Sequence, residues 1–216
     1  MRFEDLKAYV WRGNSAHSVS PAIPTGFAAL DRELPGGGWP HRSITEVYVD
    51  RYGIGELGLL IPALNWLTQH DSSVEKKWII FIAPPFIPYA PALLERGVAI
   101  ERVLLVHPSA GAKNCLWAVE QAVLSGSSVA VLAWPPVADG VVLRRLQIAA
   151  EAQSCWTVLF RPKSALEERS PAALRVQLTI EASAARLAIR KCRGGRPAVI
   201  DLRTSMQADP GEPSWC

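Results

Sequence analysis

Four short apolar runs, "WIIFIA", "VLLVH", "VAVLAW" and "WTVLF", recur along the chain with helical patterns between them. Half-exposed strands alternate apolar and polar residues, whereas near-continuous runs demand burial on both faces. Such strands fit a mainly parallel sheet covered by helices. The alternation opens with a strand over Ile44–Val49 and a helix over Leu57–Gln69, provided Pro62 falls in its first turn. It continues with the strand Trp78–Ile82 and a short helix, Pro91–Arg96, stopped by Gly97. Val103–Val106 is the next strand, and the helix Ala112–Leu124 turns Leu116, Val119 and Val123 inward. Val129–Trp134 follows. Asp139 then caps a helix to Glu151 whose inner face is Val142, Leu143, Leu146 and Ala150. Trp156–Phe160 closes the series.

Beyond Pro171 the pattern changes. "LRVQLTIEAS", "ARLAIRKCR" and "PAVIDLR" read as antiparallel strands, with "CRGGRP" as a turn. Ahead of the alternation, Thr25 is the expected N-cap of "GFAALDREL", and "PGGGWP" forces a loop. Further upstream, Phe3, Leu6, Val10 and Trp11 share one face of a short amphipathic helix, followed by a linker rich in Ser and Pro. The expected organisation is a helix and linker over 1–24, one α/β domain over 25–203, and a disordered tail over 204–216.

A chain of 216 residues, 49% of them hydrophobic, can bury one sizeable core. Its formal net charge of +3 is too small to argue for nucleic acid by itself. Cys115, Cys155, Cys192 and Cys216 lack the spacing of a zinc site or a disulfide framework, and reduced thiols are expected. His17, His41, His70 and His107 share no spacing either. With no apolar signal core and no run near the roughly 20 residues of a membrane span, a soluble cytoplasmic protein is expected.

The segment "IPTGFAALDRELPGGGWPHRSITEVY" resembles the start of a RecA core, and the likeness continues through "FIAPPFIPYAPALLERGVAIERVLLVHP" and "EQAVLSGSSVAVLAW". Within that superfamily, several ordered strings resemble the ImuA/SulA family. Among them are "VWRG", "LPGGGWP", "GIGELGLLIPAL", "APPFIPYAPAL", "LRRLQIAAE" and "KCRGGRPAVIDL". The length and the C-terminal extension favour ImuA over SulA. The resemblance implies a RecA-like core with a mainly parallel sheet, flanking helices and C-terminal antiparallel strands.

A working phosphate loop reads GxxxxGK[ST]; its Lys neutralises phosphates and its hydroxyl holds Mg²⁺. The corresponding stretch here is "VDRYGIGEL". Gly53 and Gly55 keep the turn, but Glu56 stands at the Lys position and Leu57 at the hydroxyl position. Reversing the charge there would cost several kcal/mol of triphosphate binding in a partly dry site. By the same resemblance, the catalytic Glu is replaced at about Pro85 and the metal-serving acid by Trp134. No catalytic residue, metal or cofactor is therefore expected.

The implied role is a non-catalytic accessory factor in SOS mutagenesis and translesion DNA synthesis. Its implied partners are ImuB and an error-prone DnaE-type polymerase, with RecA, DNA and a second copy as further candidates. The alternatives are a SulA-like division inhibitor that binds FtsZ and a RecA-type DNA-dependent ATPase. Phe3, Leu6, Val10, Trp11 and Trp39 are the candidate partner-binding residues. Trp39 and Trp134 are both expected near the vacated nucleotide site, filling it or forming an exposed anchor. Trp66, Trp78, Trp117 and Trp156 are expected in the core. Arg186, Arg190, Lys191, Arg193 and Arg196 are candidates for phosphate contact, against the plainer reading of a solvated hairpin.

Overall fold

A computed structural model describes residues 22–69, 77–108, 112–181 and 184–202. The expected helix bearing Phe3, Leu6, Val10 and Trp11 and the tail 204–216 lie outside those residues. Strands β1 (Ala22–Ile23) and β2 (Trp39–Pro40) form a small antiparallel pair. The apolar runs build the middle of an eight-stranded sheet. Its strands are β3 (Ile44–Val49), β4 (Trp78–Ile82), β5 (Val103–Val106), β6 (Ser128–Ala133), β7 (Trp156–Pro162), β8 (Leu174–Glu181), β9 (Ala184–Cys192) and β10 (Ala198–Asp201). Their spatial order is β10-β9-β8-β3-β7-β6-β4-β5. All pairs from β8 to β5 are parallel, and β9 and β10 add on antiparallel.

Helices α1 (Ala28–Glu33), α2 (Ile61–Gln69), α3 (Ala90–Glu95), α4 (Ala112–Leu124) and α5 (Gly140–Gln153) connect and cover these strands. One sheet face packs Val47, Phe81, Leu132, Val158 and Phe160 against Leu30 of α1 and Leu64 and Leu67 of α2. The other packs Ile44, Ile82, Val131 and Leu159 against Val119 and Val123 of α4 and Leu143 and Leu146 of α5. Burial on both faces is what the apolar runs required. No helix among the described residues is long and apolar enough to cross a membrane.

Asp139 caps α5 as expected, its carboxylate accepting the N–H groups of Val141 and Val142 at 2.9 Å each. Asp139→Ala is expected to cost about 1 kcal/mol in urea denaturation. A loss indistinguishable from zero would show that solvent caps the helix equally well.

Several local expectations are corrected. Thr25 is not the N-cap of α1, because Gly26 at φ +81° turns the chain and Phe27 takes that position. The Thr25 hydroxyl instead accepts the Phe27 N–H at 3.0 Å. The helix expected from Leu57 begins as a 3-10 turn, Glu56–Leu59, and becomes α2 only at Ile61, which leaves Pro62 in the first turn. The run "LRVQLTIE" is not purely antiparallel: β8 pairs parallel with β3 and antiparallel with β9.

Strand β5 is the sheet edge, so Leu104 and Leu105 are exposed despite their apolar run. Of the four tryptophans expected in the core, Trp156 is fully buried and Trp66 half-buried, whereas Trp78 and Trp117 are exposed. Trp117 follows Leu116 by one residue, a rotation of about 100° that carries it off the inner face of α4.

Candidate functional site

Chain direction singles out β3. From its end the chain moves to one side, to β4, and later places β8 against its other edge. Open α/β sheets bind ligands outside the carboxyl ends of strands at such a reversal. The loop after Val49 is therefore the position to inspect.

Gly53 (φ +81°) and Gly55 (φ +97°) both adopt the left-handed conformation that the tight turn needs. One amide of the turn is already taken. Glu56 is buried, and its two carboxylate oxygens accept the Gly53 N–H at 3.0 and 3.1 Å. Such loop amides are the donors a phosphate would otherwise use, and the chain supplies its own carboxylate to one of them. Leu57 packs against the core rather than facing a metal. Above the turn lies Phe86: a Cβ added to Gly53 would come within 2.8 Å of its ring.

The adjoining space is filled by aromatic rings. Trp134, at the end of β6, stacks on Phe160 with centroids 4.5 Å apart and planes 10° apart. It meets Phe81 edge-on at 6.1 Å. Tyr52 closes the same side, its hydroxyl donating to the Phe160 carbonyl at 3.5 Å, and burial pushes its pKa up. Pro85 is exposed on the loop after β4. Among the described residues no group of three His, Cys, Asp or Glu could hold a metal ion.

Trp39 is a correction. It is fully buried and packs on Trp156, with centroids 5.9 Å apart. Trp156 begins β7, so this pair sits at the opposite end of the sheet from Gly53. Trp39 neither lies beside the Gly53 turn nor offers an exposed anchor. The exposed aromatic and apolar residues at the Gly53 end of the sheet are others. Phe86, Ile87 and Tyr89 follow β4, and Val137 and Val141 follow the neighbouring β6. These large apolar side chains, four on loops and Val141 in the first turn of α5, gather at one end of the sheet.

A buried ionic network beside the loop was missed by sequence reasoning. Glu46, Tyr48 and Arg161 are all fully buried, on neighbouring strands β3 and β7. Arg161 donates to Glu46 Oε1 at 3.0 Å, to Glu168 at 2.6 Å and to the Ala138 carbonyl at 3.3 Å. Glu46 Oε2 accepts the Tyr48 hydroxyl at 2.9 Å and pairs with Arg175 of β8 at 3.1 Å. Arg175 also reaches the Leu166 carbonyl at 2.8 Å, and so ties down the crossover between β7 and β8. The signal in the sequence was a Glu and two Arg inside otherwise apolar strands, on positions that face the same way once the strands are in register.

Burial, then the Glu46 carboxylate, push the Tyr48 pKa up to about 12. A phenol with a raised folded pKa stabilises the fold fully below its unfolded value of about 10, and that contribution is lost as pH rises through the folded value. Stability is therefore expected to fall between about pH 10 and pH 12, and Tyr48→Phe to flatten that fall in urea melts. An unchanged slope in Tyr48→Phe would assign the fall to other groups.

The basic residues Arg186, Arg190, Lys191, Arg193 and Arg196 are exposed on β9 and the turn after it. Arg186, across from Thr179, lies toward the Gly53 end of the sheet and Lys191, across from Arg175, toward the other. No family model matches the chain, and no curated protein matches it. Among solved structures, SulA from Pseudomonas aeruginosa is similar at 23% identity, over 55% of this chain and 97% of the SulA chain, with a TM-score of 0.44. At that score the likeness adds nothing to the architecture seen in the chain itself.

Proposed function

We propose that the chain is a non-catalytic, RecA-like accessory factor of DNA-damage-induced mutagenesis that works by protein contact, in the manner of ImuA. The observation that carries this reading is the Glu56 carboxylate seated on the Gly53 amide. It offers an incoming triphosphate a negative charge in place of a lysine. Trp134, stacked on Phe160, occupies the flank where an acidic, metal-serving residue would be needed. The turn keeps its shape and has lost the groups that handle phosphate and metal.

Selection for a shape without its chemistry favours surfaces. The exposed apolar residues Phe86, Ile87, Tyr89, Val137 and Val141 supply one at the carboxyl end of the sheet. In this reading the partners are ImuB and an error-prone DnaE-type polymerase, and RecA is a third. Co-expression of the full chain with ImuB is expected to give a complex that survives gel filtration. Phe86→Ser with Ile87→Ser is expected to weaken it while leaving the melting temperature nearly unchanged. Absence of any complex with ImuB or the polymerase, or arrest of FtsZ polymerisation by the purified chain, would overturn the reading.

A further inference from the structure

Strands β8, β9 and β10 extend the sheet beyond β3, with their two faces in opposite situations. Leu178, Leu187, Ile189 and Ile200 point into the core that also holds Leu30 of α1. The alternate residues, Thr179, Arg186, Ala188, Val199 and Asp201, point the other way. Val199 is 67% exposed, Arg186 and Asp201 are exposed too, and Thr179 and Ala188 are half-buried, so solvent reaches this face along its outer strands. Alternation from Ile189 puts Arg190 on the same side, where it donates to Gln177 Oε1 at 3.1 Å, and the register shift between Arg175 and Val176 brings Lys191 opposite Arg175 there. Lys191 donates to the Ser170 carbonyl at 2.8 Å.

Arg190 and Lys191 are thus held by neutral oxygens, which orient a cation without cancelling its charge. Arg193 is paired with Glu151 at 3.1 Å, and Asp201 lies across from Arg186 in register. Arg196 follows in the turn and is exposed. Burial, then the neighbouring Arg175 and Arg193, push the Lys191 pKa down. Cations crowd here and an arriving anion would relieve them.

We propose that this exposed sheet face and the turn beside it bind the phosphate backbone of duplex DNA through Arg186, Arg190, Lys191 and Arg196. The residues just named on this face include no aromatic ring, and single strands are gripped largely by stacking bases on such rings. A duplex carries its phosphates outside and needs only placed cations. Arg186 and Lys191 are separated by about 16 Å along a strand, on the order of five base-pair steps. Contacts of this kind position a protein on DNA without reading sequence.

The test is fluorescence anisotropy of the full chain with a short labelled duplex, the matching single strand, and polyglutamate as competitor. Duplex affinity is expected to fall with salt at a log–log slope of about −3 to −4, as four phosphate contacts require. Arg186→Gln with Arg196→Gln, both on exposed side chains, is expected to lower that slope by about two and the affinity by at least about tenfold. Circular dichroism checks that the variant is folded. Tighter binding to the single strand, competition by polyglutamate equal to that by duplex, or an affinity unmoved by the substitutions would each overturn the proposal. Capture of ImuB is read separately, so this site and the partner reading can fail independently.

Discussion

Replacing Glu46 with leucine is expected to destabilise the protein by about 3–5 kcal/mol in urea denaturation. Combining it with Arg161→Met is expected to cost less than the first change alone. Glu46 is fully buried and faces Arg161 at 3.0 Å and Arg175 at 3.1 Å. Removing the carboxylate leaves the buried Arg161 guanidinium with Glu168 as its one carboxylate partner beside the neutral Ala138 carbonyl, and Glu168 is half exposed at its side chain. An uncompensated buried charge is the largest single penalty in this interior. Arg161→Met takes that charge away and keeps most of the volume. Strictly additive losses in the double variant would show that the two groups do not act as a unit. Arg175 holds the Leu166 carbonyl, so loss of Glu46 is also expected to raise the protease sensitivity of the β7–β8 crossover.

Trp134→Ala is the second large effect, expected at about 3–5 kcal/mol, against no more than about 0.5 kcal/mol for Trp117→Ala. Trp134 is 7% exposed, stacked on Phe160 and edge-on to Phe81, whereas Trp117 is 64% exposed on α4. Truncating Trp134 leaves a cavity that stacked rings on a rigid sheet cannot close. The cavity would lie beside the Gly53 turn, and the Glu56 carboxylate would still hold that turn's amide. Opening the space is therefore not expected to restore nucleotide binding. Saturable ATP binding by Trp134→Ala would show that bulk, rather than charge, had closed the site. Equal losses for the two tryptophans would contradict the packing described.

The contrast between these tryptophans shows how much of the molecule could be read from its sequence. Strands buried on both faces write themselves as apolar runs, so β4, β6 and β7 and the covering helices α4 and α5 were legible. The inner faces Leu116, Val119, Val123 and Leu143, Leu146 followed from helical period. Strand order leaves no such trace, and β5 has the composition of a central strand while lying at the edge. Trp39 was placed near the cleft by its glycine-rich neighbours, but tertiary contact with Trp156 puts it at the opposite end of the sheet. The Glu46–Arg161–Arg175 network needs the register of three strands that are distant in the chain. The altered turn at Gly53–Leu57 was legible because its chemistry depends on residue types at fixed spacing. The hydrogen bonds that occupy it required coordinates.

Occupation of that turn by Glu56 makes one direct demand on the proposed function: partner binding must not depend on nucleotide. Equilibrium affinity of the full-length chain for ImuB, measured by surface capture with and without saturating Mg²⁺-ATP, is the decisive comparison. Equal affinity in the two conditions is the predicted result. Binding that appears only with ATP, or that changes by tenfold or more when ATP is added, would contradict it.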